Sequence, residues 1–297
     1  MQTLYALDSR EAGRRDEALK MLDRKIGQSH ELFVYLIYFI TEVARYAEID
    51  ARQKAGKHLP TETDLAVNTR IAGNELLWHI LEDNSFKSAV ASMKPDLQID
   101  RELVRRIYQS LVQSEPYAEY IEMTSRNKQT EKFILEFIFT DLMLPEELFI
   151  SHLEEKFLNW DDDAEMMNTL VINYLGRPTT SFNSILSEEK LKFAKDLVIT
   201  VLEKHDQTLE IIKPKLNNWD AERIASLDMI LLHMGVCEFL YFETIPTRVT
   251  INEYIDLAKA YSTPQSGQFI NGILDNIHKD LTAQNRIHKR NYKNSTL

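Results

Sequence analysis

Acids, bases, nucleophiles and metal ligands do chemistry only at workable spacings, and this chain sets out few of them. Its eight histidines are scattered, and no two stand at the i, i+4 spacing of a helical zinc site with a nearby acid. Asp161-Asp162-Asp163 could suggest a cation site, but the alternating oxygen ligands of an EF-hand loop are missing. The run reads as a solvated helix start, and Glu154-Glu155 as a solvated face. The one cysteine, Cys237, sits near Val236 and Phe239, which suits a buried, inert thiol and rules out an internal disulfide. His233 lies in an apolar run and reads as a hydrogen-bonded core or interface residue. No G-x-S-x-G, P-loop or G-x-G-x-x-G is present. The residues therefore predict no catalytic centre, metal, cofactor or small-molecule substrate.

Recognition is the other chemistry open to such a chain. Tyr5 and Phe269 could stack on unpaired bases, worth ~1–3 kcal/mol per base, although the pattern alone favours core packing for both. A net charge of −11 argues against a broad nucleic-acid surface and leaves room for a local basic patch or a basic partner. Only 8 Gly and 8 Pro occur in 297 residues, too few for a turn-rich β architecture, so the fold class expected is all-α. The balance of 44% hydrophobic and 27% charged residues is that of a globular chain. The longest apolar stretch, Leu32 to Ile40, is far short of the ~20 residues that span a bilayer, and no signal peptide is visible. A soluble, cytoplasmic protein with no membrane contact is expected.

The strongest local signals lie between Ile245 and Leu274. Thr250 and Glu253 form a T-x-x-E capping box, with Val249 and Tyr254 placed as its hydrophobic staple. Thr263-Pro264 repeats the start signal, and Phe269, Ile270, Ile273, Leu274 and Ile277 form one apolar stripe behind it. Upstream, helical spacing predicts a long helix over Asp16–Lys54, a loop to Thr63, and helices over Asp64–Leu81, Phe86–Met93, Ile99–Val112 and Pro116–Met143. Helices follow from Pro145 to about Trp160, from Asp161 to near Gly176, from Ser187 to about Ile212 and from Glu222 to Phe242, with Thr179–Ser187 a polar loop. The helix containing Met229–Val236 is apolar nearly all round, hence buried, and Gly235 in it should admit a close neighbour. The tail with Arg286, His288, Lys289, Arg290 and Lys293 reads as a mobile basic end.

The C-terminal third resembles the NusB family of bacterial transcription antitermination factors. The likeness rests on Phe193-x-x-Asp196-Leu197, Lys213-Pro214-x-Leu216, Trp219-x-x-x-Arg223, Leu227-Asp228-x-Ile230-Leu231 and Glu238-Phe239-Leu240. Ile245-Pro246, the run Val249-x-Ile251-Asn252-Glu253-x-Ile255-x-Leu257-Ala258-Lys259, and Phe269-Ile270-Asn271-Gly272-Ile273-Leu274-Asp275 complete it in family order. Leu4-Tyr5 looks like the end of the family's first helix. The resemblance implies a fold of two packed three-helix groups. It also implies binding of boxA-like RNA together with NusE, a small-subunit ribosomal protein, within the transcription elongation complex that makes ribosomal RNA. Carried over by position, Tyr5, Gln265, Ser266, Gln268 and Phe269 fall on the RNA surface, and Glu222, Arg223 and Asp228 on or near the surface meeting the basic ribosomal protein.

The chain departs from the family pattern in three ways. The arginine-rich first arm is absent, and Arg10, Arg14 and Arg15 come beyond the first-helix match, so Met1 is expected to lie inside a longer first helix. Gln265, Gly267 and Gln268 stand where relatives often carry charged residues. About 150 residues from Ser9 onward have no counterpart in compact members. The organisation expected is a first-helix remnant at 1–8, an extra all-helical region at 9–178, a NusB-like domain at 187–282 and a basic flexible tail at 283–297. The alternative function is a protein-only scaffold in ribosome or rRNA biogenesis that lost RNA binding with the arm.

Overall fold

The computed structural model describes residues 1–7, 15–178, 181–216 and 224–290, and every regular element among them is helical. None of their helices is long and apolar enough to cross a membrane. The chain divides into two compact units. One combines Met1–Arg24 with Leu186–Leu297, and the other is Lys25–Ile185.

The chain opens with a short helix α1 (Gln2–Ala6) and then α2 (Arg15–Ala55), within which the boundary between the units falls. From Leu32 to Ala47, α2 is the spine of the continuous unit, with Phe33, Leu36, Ile37, Ile40, Val43, Ala44 and Ala47 buried. Around it lie α3 (Glu62–Leu65), α4 (Glu75–Glu82), α5 (Asn84–Met93), α6 (Arg101–Val112), α7 (Glu115–Glu122), α8 (Lys128–Phe137), α9 (Glu147–Lys156) and α10 (Trp160–Gly176).

Two helices expected from local periodicity are interrupted here, and a loop expected to be polar holds an apolar anchor. The helix expected over Asp64–Leu81 breaks after α3, which Thr61 and Asp64 cap reciprocally, and resumes at α4. The helix expected over Pro116–Met143 breaks at Met123–Asn127. The Arg70 guanidinium binds the carbonyls of Met123 and Ser125 there, and Arg126 binds the carbonyl of Gly73. Those carbonyls are thus satisfied outside a helix. The polar loop over Thr179–Ser187 holds a fully buried Phe182, ringed by Phe33, Phe86 and Tyr174 at 4.7–5.5 Å between centroids. Its N–H donates to Ser85 Oγ and its carbonyl accepts from His30. Burying one such ring contributes roughly 1.5–3 kcal/mol, enough to pin a loop.

The discontinuous unit adds α11 (Glu188–Glu203), α12 (His205–Ile212), α13 (Ser226–Tyr241), α14 (Thr247–Tyr261) and α15 (Ser266–Ala283). α13 packs against α1, α11, α12, α14 and α15, and every residue from Leu231 to Phe239 is buried. Gly235 is essential to that packing, because a Cβ there would lie 2.9 and 3.0 Å from the two methyls of Leu274 on α15. The single helix expected from Ser187 to Ile212 bends at Lys204 into α11 and α12. α15 ends with Asn285 in the left-handed region (φ 53°), its N–H bonding Thr282 O while Arg286 N–H bonds Leu281 O. This is a Schellman cap with asparagine in the usual glycine position. As far as Arg290 the basic tail is docked and not free. Lys289 Nζ donates to the carbonyls of Glu238 and Phe242, sealing the C-terminus of α13, and Arg290 pairs with Glu243.

Candidate functional site

Five of the candidate residues, Asp228, Gln265, Ser266, Gln268 and Phe269, lie at the first turn of α13 and the start of α15. Asp228, in that first turn, is 6% exposed. Its Oδ2 accepts from Ser266 Oγ at 2.7 Å, which joins the start of α15 to the start of α13. Ser262 and Thr263 surround the same serine: Thr263 N–H donates to Ser266 Oγ at 3.2 Å, and the two hydroxyls lie 2.8 Å apart. Asp228 Oδ1 has no partner among the described residues.

The corner between α14 and α15 is built differently from the sequence expectation. α14 begins at Thr247, three residues before Thr250, and no side chain caps it. Thr250 is therefore inside the helix and fully buried, and it donates to Glu238 Oε2 at 2.9 Å. Tyr254 donates to the other oxygen, Oε1, at 2.5 Å. Burial raises the Glu238 carboxyl above its ordinary range, with the two hydroxyl bonds acting against the shift. The T-x-x-E spacing was a tertiary clamp on α13, not a cap. Glu253 is exposed, and the supposed staple fails with it because Val249 is 45% exposed. α15 likewise starts at Ser266, beyond Thr263-Pro264, with no side-chain cap.

Of the residues expected on an RNA surface, Tyr5 is 61% exposed, and Gln265 and Gln268 are exposed on the first turn of α15. Ser266 and Phe269 are not, at 2% and 5% exposure. Phe269 belongs to the core stripe with Ile270, Ile273 and Leu274, since the start at Ser266 sets its face inward. It offers no open ring for a base. Of the residues expected near a protein partner, Asp228 is placed as above, while Glu222 and Arg223 lie outside the described residues.

Sequence reasoning missed a neighbouring group. His233 is buried, its Nδ1 lies 2.5 Å from Thr208 Oγ1, and its ring stacks on His205 at 4.4 Å between centroids. Burial, with a smaller contribution from His205, lowers the His233 pKa to about 4. Thr208 also donates to the carbonyls of Lys204 and His205. With two carbonyls available to that hydroxyl, the arrangement favours Nδ1 as the donor to Thr208, which leaves the lone pair on Nε2. The sequence reading of His233 as a hydrogen-bonded core residue holds, but it could not name the partners. Its partners are 25 and 28 residues away. Burial also pushes the Cys237 thiol up to about 12, which makes it unreactive. Among the described residues no group of His, Cys, Asp and Glu could hold a metal ion.

The family model described as the NusB family matches residues 153–279. The transcription antitermination protein NusB of Finegoldia magna is 42% identical over 94 residues, which cover 32% of this chain and 69% of that protein. The NusB of Clostridium botulinum is 36% identical over 122 residues, or 41% of this chain and 86% of that protein. The chain belongs to the NusB family. The NusB of Salinibacter ruber is 43% identical over 97 residues, and there the chain spans 61% of the relative's length. These NusB proteins are named as antitermination factors and not as enzymes. No solved structure matches the chain.

Proposed function

We propose that this NusB-family chain works without catalysis, by holding boxA-like RNA and the ribosomal protein NusE side by side during transcription of ribosomal RNA. The observation that carries the reading is that the family's most specific run, Ile251 to Asp275, forms one continuous corner, α14 to α15, clamped onto α13 through Glu238 and Asp228. On that corner Gln265 and Gln268 are the exposed polar groups for RNA, and Tyr5 on α1 adds an exposed ring outside it, while Phe269 belongs to the core. Asp228 is assigned to the protein side by its position in the family run, although it is only 6% exposed.

The charge distribution supports the reading. Residues 25–185 hold 16 Lys and Arg against 26 Asp and Glu, net −10, whereas the remaining residues hold 19 against 20, net −1. The overall −11 that speaks against RNA belongs almost wholly to the other unit. A near-neutral surface neutralises few phosphates, so RNA affinity here depends on NusE engaging the same complex.

Burial of Ser266 and Phe269 removes two of the five candidate RNA contacts and favours, as the second reading, a protein-only scaffold in ribosome biogenesis. One titration separates them. Labelled boxA RNA is titrated with the chain alone, with NusE alone and with both. The RNA reading expects binding by the pair at least about tenfold tighter than by either protein. NusE capture with no gain in RNA affinity would establish the scaffold instead.

A further inference from the structure

One cavity has no part in the corner just described. A pocket of about 710 Å³ opens between α1, α11, α12 and α13 within the discontinuous unit. Val201, Leu202 and Met229 give it apolar walls, and Tyr5, Ser226, His205 and His233 also line it. No Lys, Arg, Asp or Glu is among its described lining residues, and a neutral occupant avoids the cost of an unpaired buried charge. The occupant that suits such walls is neutral and flat.

The polar groups narrow this further. His233 Nδ1 is engaged by Thr208, and Nε2 has no protein partner among the described residues, although the side chain is 96% buried by its 4% exposure. The pocket is therefore lined by a buried imidazole with one ring nitrogen left to pair. Ser226 adds a hydroxyl, and Tyr5 adds an exposed aromatic face. An indole or a phenol would satisfy one of these groups only, whereas the edge of a nucleobase carries donors and acceptors together beneath a stacking face.

We infer that this pocket is a slot for one unstacked nucleobase bearing an exocyclic amino group, which donates to His233 Nε2 while the base lies against Tyr5. The inference rests on the RNA reading above and names a contact outside the α14–α15 corner. Uracil, which sets carbonyl oxygens where the amino group belongs, should be rejected by about tenfold or more.

The test follows the histidine ring resonances of the full chain by NMR during titration with adenosine, cytidine and uridine monophosphates at millimolar concentration. Adenosine or cytidine monophosphate is expected to shift the His233 and His205 signals saturably, with uridine monophosphate at least about tenfold weaker. Met229→Trp, which fills the pocket from its wall, should abolish the shifts while helical circular dichroism is retained. Ser226→Phe is the second variant should Met229→Trp fail to fold. Shifts that are absent with every nucleotide, equal for uridine, or unchanged in a folded pocket-filling variant would overturn the slot. So would a variant that loses NusE capture while wild type shows no nucleotide response, since the occupant is then a protein side chain. The two readings fail separately. Cooperative boxA binding without nucleotide shifts removes the slot alone, and saturable shifts without boxA binding remove the antitermination reading alone.

Discussion

The two units are equally helical, yet they secure their helix ends in opposite ways. In the unit of residues 25–185, α3 to α9 each begin on a residue whose own side chain accepts a first-turn N–H: Thr61, Asn74, Asp83, Asp100, Ser114, Asn127 and Glu146. In the other unit only α11 does so, through Ser187, while α12 to α15 carry no side-chain cap. Its hydroxyls and carboxylates are used across the core instead, as Glu238 to Thr250 and Tyr254, Asp228 to Ser266 and His233 to Thr208. Charge separates the units as well, −10 against −1. A locally capped, strongly acidic unit is built to fold and stay solvated. A unit that joins its helices through buried polar pairs has the relative placement of α13, α14 and α15 set by those pairs.

The largest test of this contrast removes one carboxylate from each unit. Glu238→Ala leaves the hydroxyls of Thr250 and Tyr254 buried without an acceptor. At ~1–3 kcal/mol for each unsatisfied group, the loss should be about 2–5 kcal/mol. Glu131→Ala removes the partner of Tyr120, of the Arg126 guanidinium and of the Glu75 N–H, with a loss of similar size. Denaturant midpoints give the magnitudes, and amide hydrogen exchange gives the location. Each variant should lose protection only within its own unit, α13 to α15 for Glu238 and α4, α7 and α8 for Glu131. Loss spreading equally through both units would end their treatment as separate structures.

Next in size is an effect of pH confined to the discontinuous unit. His233 is held at about 4, below its ordinary 6.5, by burial first and by His205 second. Between these values the unfolded chain binds a proton that the native state excludes. Stability therefore rises with pH across the window and falls on acidification from 6.5 towards 4, by about 3 kcal/mol at most. Glu238, raised by burial, contributes with the opposite sign, since its protonated form favours the fold. His233→Asn isolates the histidine: the slope of unfolding free energy against pH from 6.5 to 4 should flatten although the variant is less stable throughout. An unchanged slope would show that His233 is not the group being titrated.

The same contrast explains what could be read from the sequence. The long α2, the buried α13 with Gly235 at its close approach, and the capping serine of α11 were all legible, because periodicity, composition and a local cap act within one stretch of chain. The local cap signals found α14 and α15 but misplaced their starts and gave Thr250 and Thr263 the wrong work. A threonine three residues before a glutamate reads as a cap from sequence alone, and only the position of Glu238 on another helix shows it to be a clamp. Phe269 carried two readings, a place in the apolar stripe and, by family position, an RNA contact, and its 5% exposure decides for the stripe. The His233–Thr208–His205 group could not be read at all, because stacking and hydrogen bonding between residues more than twenty positions apart leave no periodic trace.

The smallest effect tests the caps directly. Asp100 Oδ1 accepts from the N–H groups of both Glu102 and Leu103, so Asp100→Ala should cost about 1 kcal/mol, mostly by loss of the cap. Glu253→Ala removes half of a capping box that the fold does not form, from an exposed position, and should change stability by less than about 0.5 kcal/mol. Both are within reach of urea melts run side by side. A real box at Thr250 would reverse the order, since Glu253 would then carry the Thr250 N–H. It would also return α14 to a start at Ile251 and release Thr250 from Glu238. The ratio of these two small numbers therefore reports whether the corner is held from within its own helix or from α13.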